Sequence, residues 1–316
     1  MDVLNVRNLK KSFGDRRVID GISLDVPENS VYGFIGVNGA GKTTTMRMIM
    51  GLLQKDGGEI TVCGKPVAYG ETGLGGLIGY LPDVPEFYGF MRPMEYMRMC
   101  GAISRMPSGL VGERARELLG LVGLKDQRKR IGSFSRGMKQ RLGVAQALLN
   151  EPRLLICDEP TSALDPIGRK DVLGILGDIR DRTTVLLSTH ILSDVEKVCD
   201  RVAVLHGGKI AMDGTLGELR SRHRADKIRI EFMSSADKAS FLRPLDEAGS
   251  LEPASQGSGV PWVAAEDRGT ELTLEVKDVE GAMRAMLRIL TDRRIMPLRL
   301  EVMEPGMEGL FLEAIA

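Results

Sequence analysis

The stretch from Val31 to Thr45 constrains the fold more than any other part of the chain, and it reads VYGFIGVNGAGKTTT. Its apolar opening predicts a buried strand, and the residues after it have a helical pattern. Between the two, the chain matches the phosphate-binding spacing G-x-x-x-x-G-K-[ST] at Gly36, Gly41, Lys42 and Thr43. A chance glycine-rich turn is the alternative, but the strand before and the helix after favour a nucleoside triphosphate site.

The residue types in this loop explain how it would hold phosphate. Glycines let the backbone curl until consecutive N–H groups point at phosphate oxygens, and the N-terminus of the following helix adds its positive dipole. Lys42 is then placed to reach the β- and γ-phosphates, and the Thr43 hydroxyl is placed to ligate magnesium.

Length and composition bound what the rest of the chain can be. With 316 residues, it is longer than a typical single domain, so two units are expected. Lysine plus arginine equals aspartate plus glutamate at 43 each, and aromatic residues make up 4%, so nothing points to nucleic acid. The scattered cysteines are expected to be reduced thiols: Cys63, Cys100, Cys157 and Cys199. No apolar run approaches the roughly 20 residues that cross a bilayer, so we expect a soluble chain that serves a membrane only through a partner.

Strand and helix patterns alternate through most of the chain. Residues 2–9 alternate apolar and polar side chains, as an edge or half-exposed strand would, and two short strands follow around Gly14 and Asp15. Further strands are predicted at 77–83, 153–160 and 183–190, with a hairpin at 201–212 and a helical region at 85–150. This alternation predicts an α/β fold with a largely parallel sheet covered on both faces.

The composition of the chain changes near residue 222, where we interpret the charged stretch SRHRADK as a linker. Beyond it the predicted order is strand, helix, strand, strand, helix, strand, which is that of a ferredoxin-like α+β unit. A last helix is predicted from about Met307 to Ala314. The sequence therefore predicts two domains, at 1–222 and 223–316.

Two acids and a histidine at strand ends are candidates for metal binding and catalysis beside the phosphate loop. The strand LLICDEP leads to Asp158, which suits a second magnesium contact, and to Glu159, which is placed to orient and deprotonate an attacking water. A strand-end turn with two solvated acids is the alternative. His190 follows an apolar strand and is either a γ-phosphate contact or a structural histidine. Phe13 is either a purine-stacking residue or a core residue.

Over residues 1–222 these features resemble the nucleotide-binding subunit of an ABC transporter. The matching segments, in order, are Phe13, GVNGAGKTT, GYLPD, the signature-like FSRGMKQRL, LLICDEP, SALD and the histidine of STH. P-loop kinases and GTPases carry no signature loop between the two nucleotide motifs. The resemblance therefore implies a P-loop NTPase core of the ABC ATPase type, with antiparallel β and helical subdomains, the latter at about 85–150.

The resemblance also implies site residues, with ATP and Mg²⁺ as cofactors. The implied phosphate cradle comprises Gly36, Asn38, Gly39, Gly41, Lys42, Thr43 and Thr44, and the implied metal contacts are Thr43, Asp158 and Asp83. Phe13 would stack on adenine, Glu159 would act as general base, and His190 would contact the γ-phosphate. Lys42 would act in catalysis together with Glu159 and His190.

Two ATPase subunits are implied, as a homodimer or a heterodimer. Ser135 and Gly137 match the signature loop, which in this family completes the nucleotide site of the opposite subunit. Asp165 matches a loop that communicates across that dimer. Neither protomer alone is therefore expected to hydrolyse ATP efficiently.

The chain departs from the usual family pattern in two motifs. The signature reads FSRGM where LSGGQ is usual, with Arg136 and Met138 in the third and fifth places, and such substitutions resemble the branch that drives exporters of drugs, antibiotics and lipids. Asp83 stands where the family has a glutamine that touches magnesium and the attacking water. Aspartate still offers the oxygen that magnesium prefers, but it has a shorter reach and no amide donor.

The helical region carries many methionine and aromatic side chains, which form either the surface for a membrane partner or the core of the helical unit. They are Met91, Met94, Met97, Met99 and Met106, with Phe87, Tyr88, Phe90 and Tyr96. The C-terminal domain lies outside the motif match, and we expect it to contact the twin subunit or the permease, or to regulate turnover.

The sequence thus predicts a cytoplasmic ATPase, peripheral on the inner face of the cell membrane, which powers a separate permease, as an exporter of drugs, antibiotics or lipids. A translation or ribosome factor is an alternative, but those usually fuse two nucleotide domains, and this chain has one phosphate loop and one signature. A DNA-maintenance ATPase is another, but it would have a long coiled coil between those motifs.

Overall fold

The computed structural model describes residues 2–71, 74, 76–125, 128–222, 227–243, 262–303 and 306–315. It divides the chain into two compact units, one comprising Met1–Leu216 with Phe311–Ala316 and the other Gly217–Leu310. The boundary between the two units lies at the start of a helix that spans Leu216–Arg222. The charged sequence at 221–227 therefore begins at the end of that helix. Part of the predicted linker, 223–226, lies outside the described residues.

The elements of the first part of the chain alternate as expected. In chain order they are β1 (Asp2–Phe13), β2 (Arg16–Pro27), β3 (Val31–Ile35), α1 (Lys42–Ile49), β4 (Gly57–Val62), β5 (Lys65–Pro66), β6 (Ile78–Leu81), α2 (Pro93–Ile103), α3 (Ser108–Leu121), a 3-10 turn at Ile131–Ser133, α4 (Arg136–Ala147), β7 (Leu154–Asp158), α5 (Pro166–Asp178), β8 (Thr184–Thr189), α6 (Leu192–Val198), β9 (Arg201–His206), β10 (Lys209–Thr215) and α7 (Leu216–Arg222). None of the described helices is both long enough and apolar enough to cross a membrane.

A six-stranded sheet forms the centre of the first unit, in the order β10-β9-β3-β8-β7-β6. Its strands pair in parallel, except that β10 closes the predicted hairpin on β9. Strands β3, β7 and β8 are buried along their whole length. Alternate residues explain why: Tyr32 and Phe34 pack into the core that contains Met46 of α1, whereas Gly33 faces Val195 of α6. The predicted parallel sheet, covered on both faces, is confirmed.

A second, antiparallel sheet has the order β2-β1-β4-β5. Strand β1 is half-exposed, as its alternating sequence predicts, but it lies between β2 and β4. The prediction of an edge position was therefore wrong, because alternation reports which face is buried and not which neighbours pair.

The helical region predicted between 85 and 150 is confirmed as α2, α3 and α4. Helix α2 begins at Pro93, where the missing backbone N–H costs nothing, and the backbone N–H of Arg92 donates to Glu95 Oε2 at 2.9 Å.

The second unit has the predicted ferredoxin-like order. Its elements are β11 (Lys227–Phe232), α8 (Ser235–Leu242), β12 (Trp262–Arg268), β13 (Glu271–Val276), α9 (Val279–Asp292) and β14 (Pro297–Met303), and α10 (Met307–Ile315) ends the chain. The strands form one antiparallel sheet in the order β12-β13-β11-β14. Helix α9 buries Ala282, Met286, Ile289 and Leu290, a helical stripe that packs with the sheet into a separate core.

Candidate active site

The glycine loop after β3 packs closely against two neighbouring strands. Gly41 precedes α1 in the left-handed region at φ 111°, and a Cβ there would lie 2.6 Å from Ile19 Cδ1 of β2. A Cβ on Gly36 would lie 2.8 Å from the carbonyl oxygen of Leu205 in β9. Only glycine therefore fits these two positions, and the loop backbone is fixed by contacts on either side.

A cavity of about 320 Å³ opens at this loop and the start of α1. It is lined by Arg16, Val18, Asn38, Gly39, Gly41, Lys42, Thr43, Thr44 and Glu159. Seven of these nine residues are among those that the sequence analysis assigned to the nucleotide site. The other two, Arg16 and Val18, lie at the start of β2 and belong to no motif.

Lys42 lies buried beneath the loop, with 6% of its side chain exposed. Its Nζ donates to the carbonyl oxygen of Gly36 at 2.7 Å and to that of Val37 at 3.3 Å. It also forms an ion pair with Glu159 Oε1 at 3.1 Å. The ammonium is thus held at the junction of the phosphate loop and the acidic end of β7.

Thr43 and Asp158 meet although 115 positions separate them in the chain. The Thr43 hydroxyl donates to Asp158 Oδ2 at 2.8 Å, while Asp158 Oδ1 is buried and has no hydrogen-bond partner among the described residues. A buried carboxylate oxygen without a donor is costly unless a cation or another donor meets it. A hydroxyl and a carboxylate fit Mg²⁺, which uses few protein oxygens alongside substrate phosphates and water.

The charge of Asp158 also acts on two neighbours. Burial raises the pKa of the Cys157 thiol, and the adjacent Asp158 carboxylate raises it further. Burial likewise raises the pKa of the Tyr80 hydroxyl, again with a contribution from Asp158. Both groups are therefore neutral at physiological pH and bring no further negative charge to the site.

Glu159 sits in a strained backbone conformation, with φ at 49°. Its N–H donates to the carbonyl oxygen of Ser188 in β8 at 2.9 Å, which holds the turn against the sheet. His190 Nδ1 lies 2.8 Å from Glu159 Oε2, and because an ionised carboxylate only accepts, Nδ1 carries the proton and donates. Lys42 and His190 therefore hold the two carboxylate oxygens of Glu159, and the alternative of a solvated strand-end acid is wrong.

The remaining predicted residues lie outside the cavity lining. Phe13 is 51% exposed at the end of β1, so its interpretation as a core residue is wrong. The Ser162 hydroxyl donates to Asp83 Oδ1 at 2.6 Å. Ser135 caps α4 by accepting from the N–H of Met138 at 3.2 Å. Gly137 lies in the first turn of the same helix.

One buried contact near the site had no signal in the sequence. The Thr161 hydroxyl donates to Asp194 Oδ2 at 2.6 Å, and both residues are buried. Thr161 follows Glu159 by two positions, and Asp194 lies in α6 just after His190. The contact therefore fastens the segment after the acid pair to the segment after the histidine, whereas in sequence Asp194 reads as an ordinary surface acid.

Comparison with protein-family models finds a match to the family described as ABC transporter, over residues 19–162. Similar proteins extend further along the chain. It is 41% identical to an uncharacterized ABC transporter ATP-binding protein, YxlF of Bacillus subtilis (strain 168), over 71% of this chain and 75% of YxlF. It is 37% identical to the bacitracin transport ATP-binding protein BcrA of Bacillus licheniformis, over 76% of this chain and 78% of BcrA.

One relative matches along nearly the whole chain. The linearmycin resistance ATP-binding protein LnrL of Bacillus subtilis (strain 168) is 31% identical over 98% of this chain and 97% of its own length. Among solved structures, cbiO1 from Clostridium perfringens, part of the ABC transporter complex cbiONQ, superposes with a TM-score of 0.65. It is 26% identical and covers 70% of this chain and 91% of cbiO1.

Proposed function

Because this chain belongs to the ABC transporter family as an ATP-binding subunit, we propose that its ATPase activity drives export of an antibiotic, or of a drug or lipid of similar character, through a separate permease. The observation that carries the substrate class is the full-length match to LnrL, which is named for linearmycin resistance and includes the C-terminal unit. BcrA, named for bacitracin transport, supports the same class.

The residues at the loop divide the work of holding ATP and magnesium. Gly36, Asn38, Gly39, Gly41 and Thr44 supply backbone and side-chain donors to the phosphates, while Lys42 adds a buried positive charge. The Thr43 hydroxyl and Asp158 would hold Mg²⁺, which supplies neutralisation of phosphate charge when bound.

Asp83 is the weakest member of the proposed metal set, because its carboxylate already accepts from Ser162. We therefore assign it to the outer edge of the metal site, and Phe13 to the exposed side where an adenine ring would stack.

Glu159 is the proposed general base for the attacking water. A base must lie within hydrogen-bond reach of the proton it takes, and Glu159 is a lining residue of the phosphate cavity. His190 donates to Glu159 Oε2 and so fixes the direction in which the carboxylate points. His190 Nε2, on the far side of the ring, is left for the γ-phosphate contact.

Two ATPase subunits complete the proposed sites, either two copies of this chain or this chain and a related subunit. Ser135 and Gly137 are not among the residues that line the cavity of their own chain, which supports their acting on the opposite one. Asp165 caps α5 by accepting from the N–H of Gly168 at 2.7 Å, and this holds the connecting loop beside the signature helix.

The permease is proposed to dock on the segment before α2. Val84, Tyr88 and Phe90 are 58%, 56% and 70% exposed, whereas Tyr96 and Met97 belong to the core. The core interpretation is confirmed for Tyr96 and Met97, and the exposure of Tyr88 and Phe90 supports the proposed docking surface. Docking here would keep the subunit on the cytoplasmic face of the membrane.

The non-transport alternatives have no observation in their favour. The longest helix described between the phosphate loop and the signature, α3, has 14 residues, which is far short of a coiled coil of many heptads. No base-stacking or basic surface was predicted, and the relatives are named for transport.

The proposal is tested by drug resistance in a sensitive bacterial host that expresses the chain with its permease. Wild-type chain should raise the tolerated concentration of bacitracin or linearmycin, Glu159→Gln should abolish the gain, and Glu113→Gln, which changes an exposed carboxylate, should preserve it. Purified chain that hydrolyses ATP yet co-purifies with ribosomes or DNA instead of a membrane protein would overturn the transport function.

A further inference from the structure

The free edge of β14 has fewer of the usual protections than the opposite edge of the same sheet. β14 and β12 are the two end strands in the order β12-β13-β11-β14. Strand β14 has its one register shift at its start, between Pro297 and Arg299, and pairs with β11 without interruption from Arg299 to Met303. In β12 the register shift lies in the middle of the strand, between Ala264 and Glu266. Because bulges commonly block edge-to-edge pairing, β14 is the edge better suited to receive another strand.

Apolar side chains are exposed along and just before this strand. Met296, Leu298 and Val302 are 74%, 60% and 38% exposed. Val302 lies on the same face of β14 as Leu300, which packs against the core of the unit, whereas Leu298 falls within the register shift. Val302 therefore extends this apolar face to the free edge of the sheet.

The order of side chains along β14 is complementary to itself. The strand reads Leu298, Arg299, Leu300, Glu301, Val302, so an antiparallel copy centred on Leu300 places Arg299 opposite the partner's Glu301. Directly opposed residues of antiparallel strands attract when their charges are opposite or both are apolar, and a two-fold axis forms each contact twice.

We propose that β14 pairs with β14 of a second copy of this chain, antiparallel and centred on Leu300, so that two four-stranded sheets join. This proposal depends on one part of the proposed function, which is that two ATPase subunits meet at their nucleotide sites. One strand edge buries little surface, so the contact is weak on its own. Tethering of the two chains at their nucleotide sites would raise the effective concentration of one β14 edge near the other and so favour the pairing.

Sedimentation velocity of the full chain without nucleotide tests this, in a concentration series up to about 1 mM, which matches the effective concentration in a tethered assembly. Wild-type chain should dimerise within this range. Arg299→Glu places two glutamates in opposition and Glu301→Arg places two arginines, so each variant alone should dissociate about tenfold more readily. An equimolar mixture of the two variants restores opposite charges and should dimerise like wild type. Arg299 also pairs with Glu301 in its own chain at 2.6 Å, and Glu301 with Arg229 at 3.5 Å, but loss of an internal contact is not rescued by mixing.

The opposite edge supplies a matched control. Glu266 and Arg268 form an exposed ion pair at 3.4 Å on β12, and reversing either charge should leave the dimerisation unchanged. A wild-type chain that stays monomeric throughout the series, single variants that dimerise like wild type, or a mixture that stays monomeric would each overturn the pairing. The ATP-dependent dimer of Glu159→Gln is measured separately: it should survive Arg299→Glu, and its absence in Glu159→Gln alone would count against the proposed function and not against β14.

Discussion

The buried hydrogen bond between Thr161 and Asp194 gives a sharp test of how the site is held together. The Thr161→Val substitution removes the one hydrogen-bond donor that the described residues offer to the Asp194 side chain, at 2.6 Å. Arg169 Nε lies 4.0 Å away, too far to replace it. A hydrogen bond to a charged group contributes about 1.5–3 kcal/mol, and the stranded carboxylate cannot be solvated, so we expect a loss of about 2–3 kcal/mol in the free energy of unfolding.

The aromatic residues of the chain allow each unit to be followed separately. The one tryptophan, Trp262, lies in the second unit, and all five tyrosines lie in the first. Urea unfolding recorded by tyrosine emission should move to a midpoint lower by about 1 M, since a slope of about 2–3 kcal/mol per M converts the expected loss into that shift. The transition recorded by Trp262 should not move.

Two comparisons isolate the charge of Asp194. Thr189→Val removes a neutral bond in which the Thr189 hydroxyl accepts from the N–H of Ile191 at 3.0 Å, so it should cost about 1 kcal/mol. In an Asp194→Asn background, Thr161→Val should likewise cost only about 1 kcal/mol, because the acceptor is then uncharged. Equal costs for Thr161→Val in both backgrounds would refute the argument.

The remaining predictions concern single positions. Gly41→Ala should abolish ATP binding in a fluorescent-nucleotide titration, whereas Gly39→Ala, where an added methyl group meets open space, should weaken it less; equal losses would contradict the packing argument. Asp83→Gln should change the ATPase rate less than about tenfold, against a loss of about a hundredfold or more for Glu159→Gln, and a loss as deep as the latter would reverse the ranking. Cys157, buried and with a raised pKa, should resist iodoacetamide at neutral pH until urea unfolds the chain, and labelling in the folded protein would contradict its burial.

The contacts that local patterns predicted are those whose geometry a motif or a strand fixes. The spacing from Gly36 to Thr43 determines how the loop curls, and an apolar strand that ends at Asp158 must bring this acid to the edge where parallel strands finish. Thr43 and Asp158 therefore meet as expected, although they are far apart in sequence. The order of strands and helices in the second unit was likewise readable, because periodicity and turn residues mark each element.

The contacts that could not be predicted are formed between segments far apart in sequence, and no local pattern indicates which segments become neighbours in the fold. Alternating residues in β1 show that one face is buried, but the choice of β2 and β4 as neighbours is not local information. Asp194 looks like a solvated acid until the Thr161 hydroxyl is found beside it. Arg16 lines the cavity only because β2 passes over the glycine loop.

Glu159 contacts Lys42 and His190, and bound phosphate would compete with Glu159 for the first of these contacts. Glu159 Oε1 forms an ion pair with Lys42 Nζ at 3.1 Å, and this contact occupies one of the two oxygens of the proposed base. In the proposed function, phosphate oxygens in the cavity would compete for the same ammonium and release Glu159 Oε1, while His190 would still hold the other oxygen, which lies 2.8 Å from its Nδ1. The hydrogen bond from the Glu159 N–H to the carbonyl oxygen of Ser188 does not involve Lys42, so it would keep the Glu159 backbone, with its φ of 49°, in place during this exchange. In the proposed function, the lysine that binds phosphate is therefore also the residue that holds the proposed base in the structure without nucleotide.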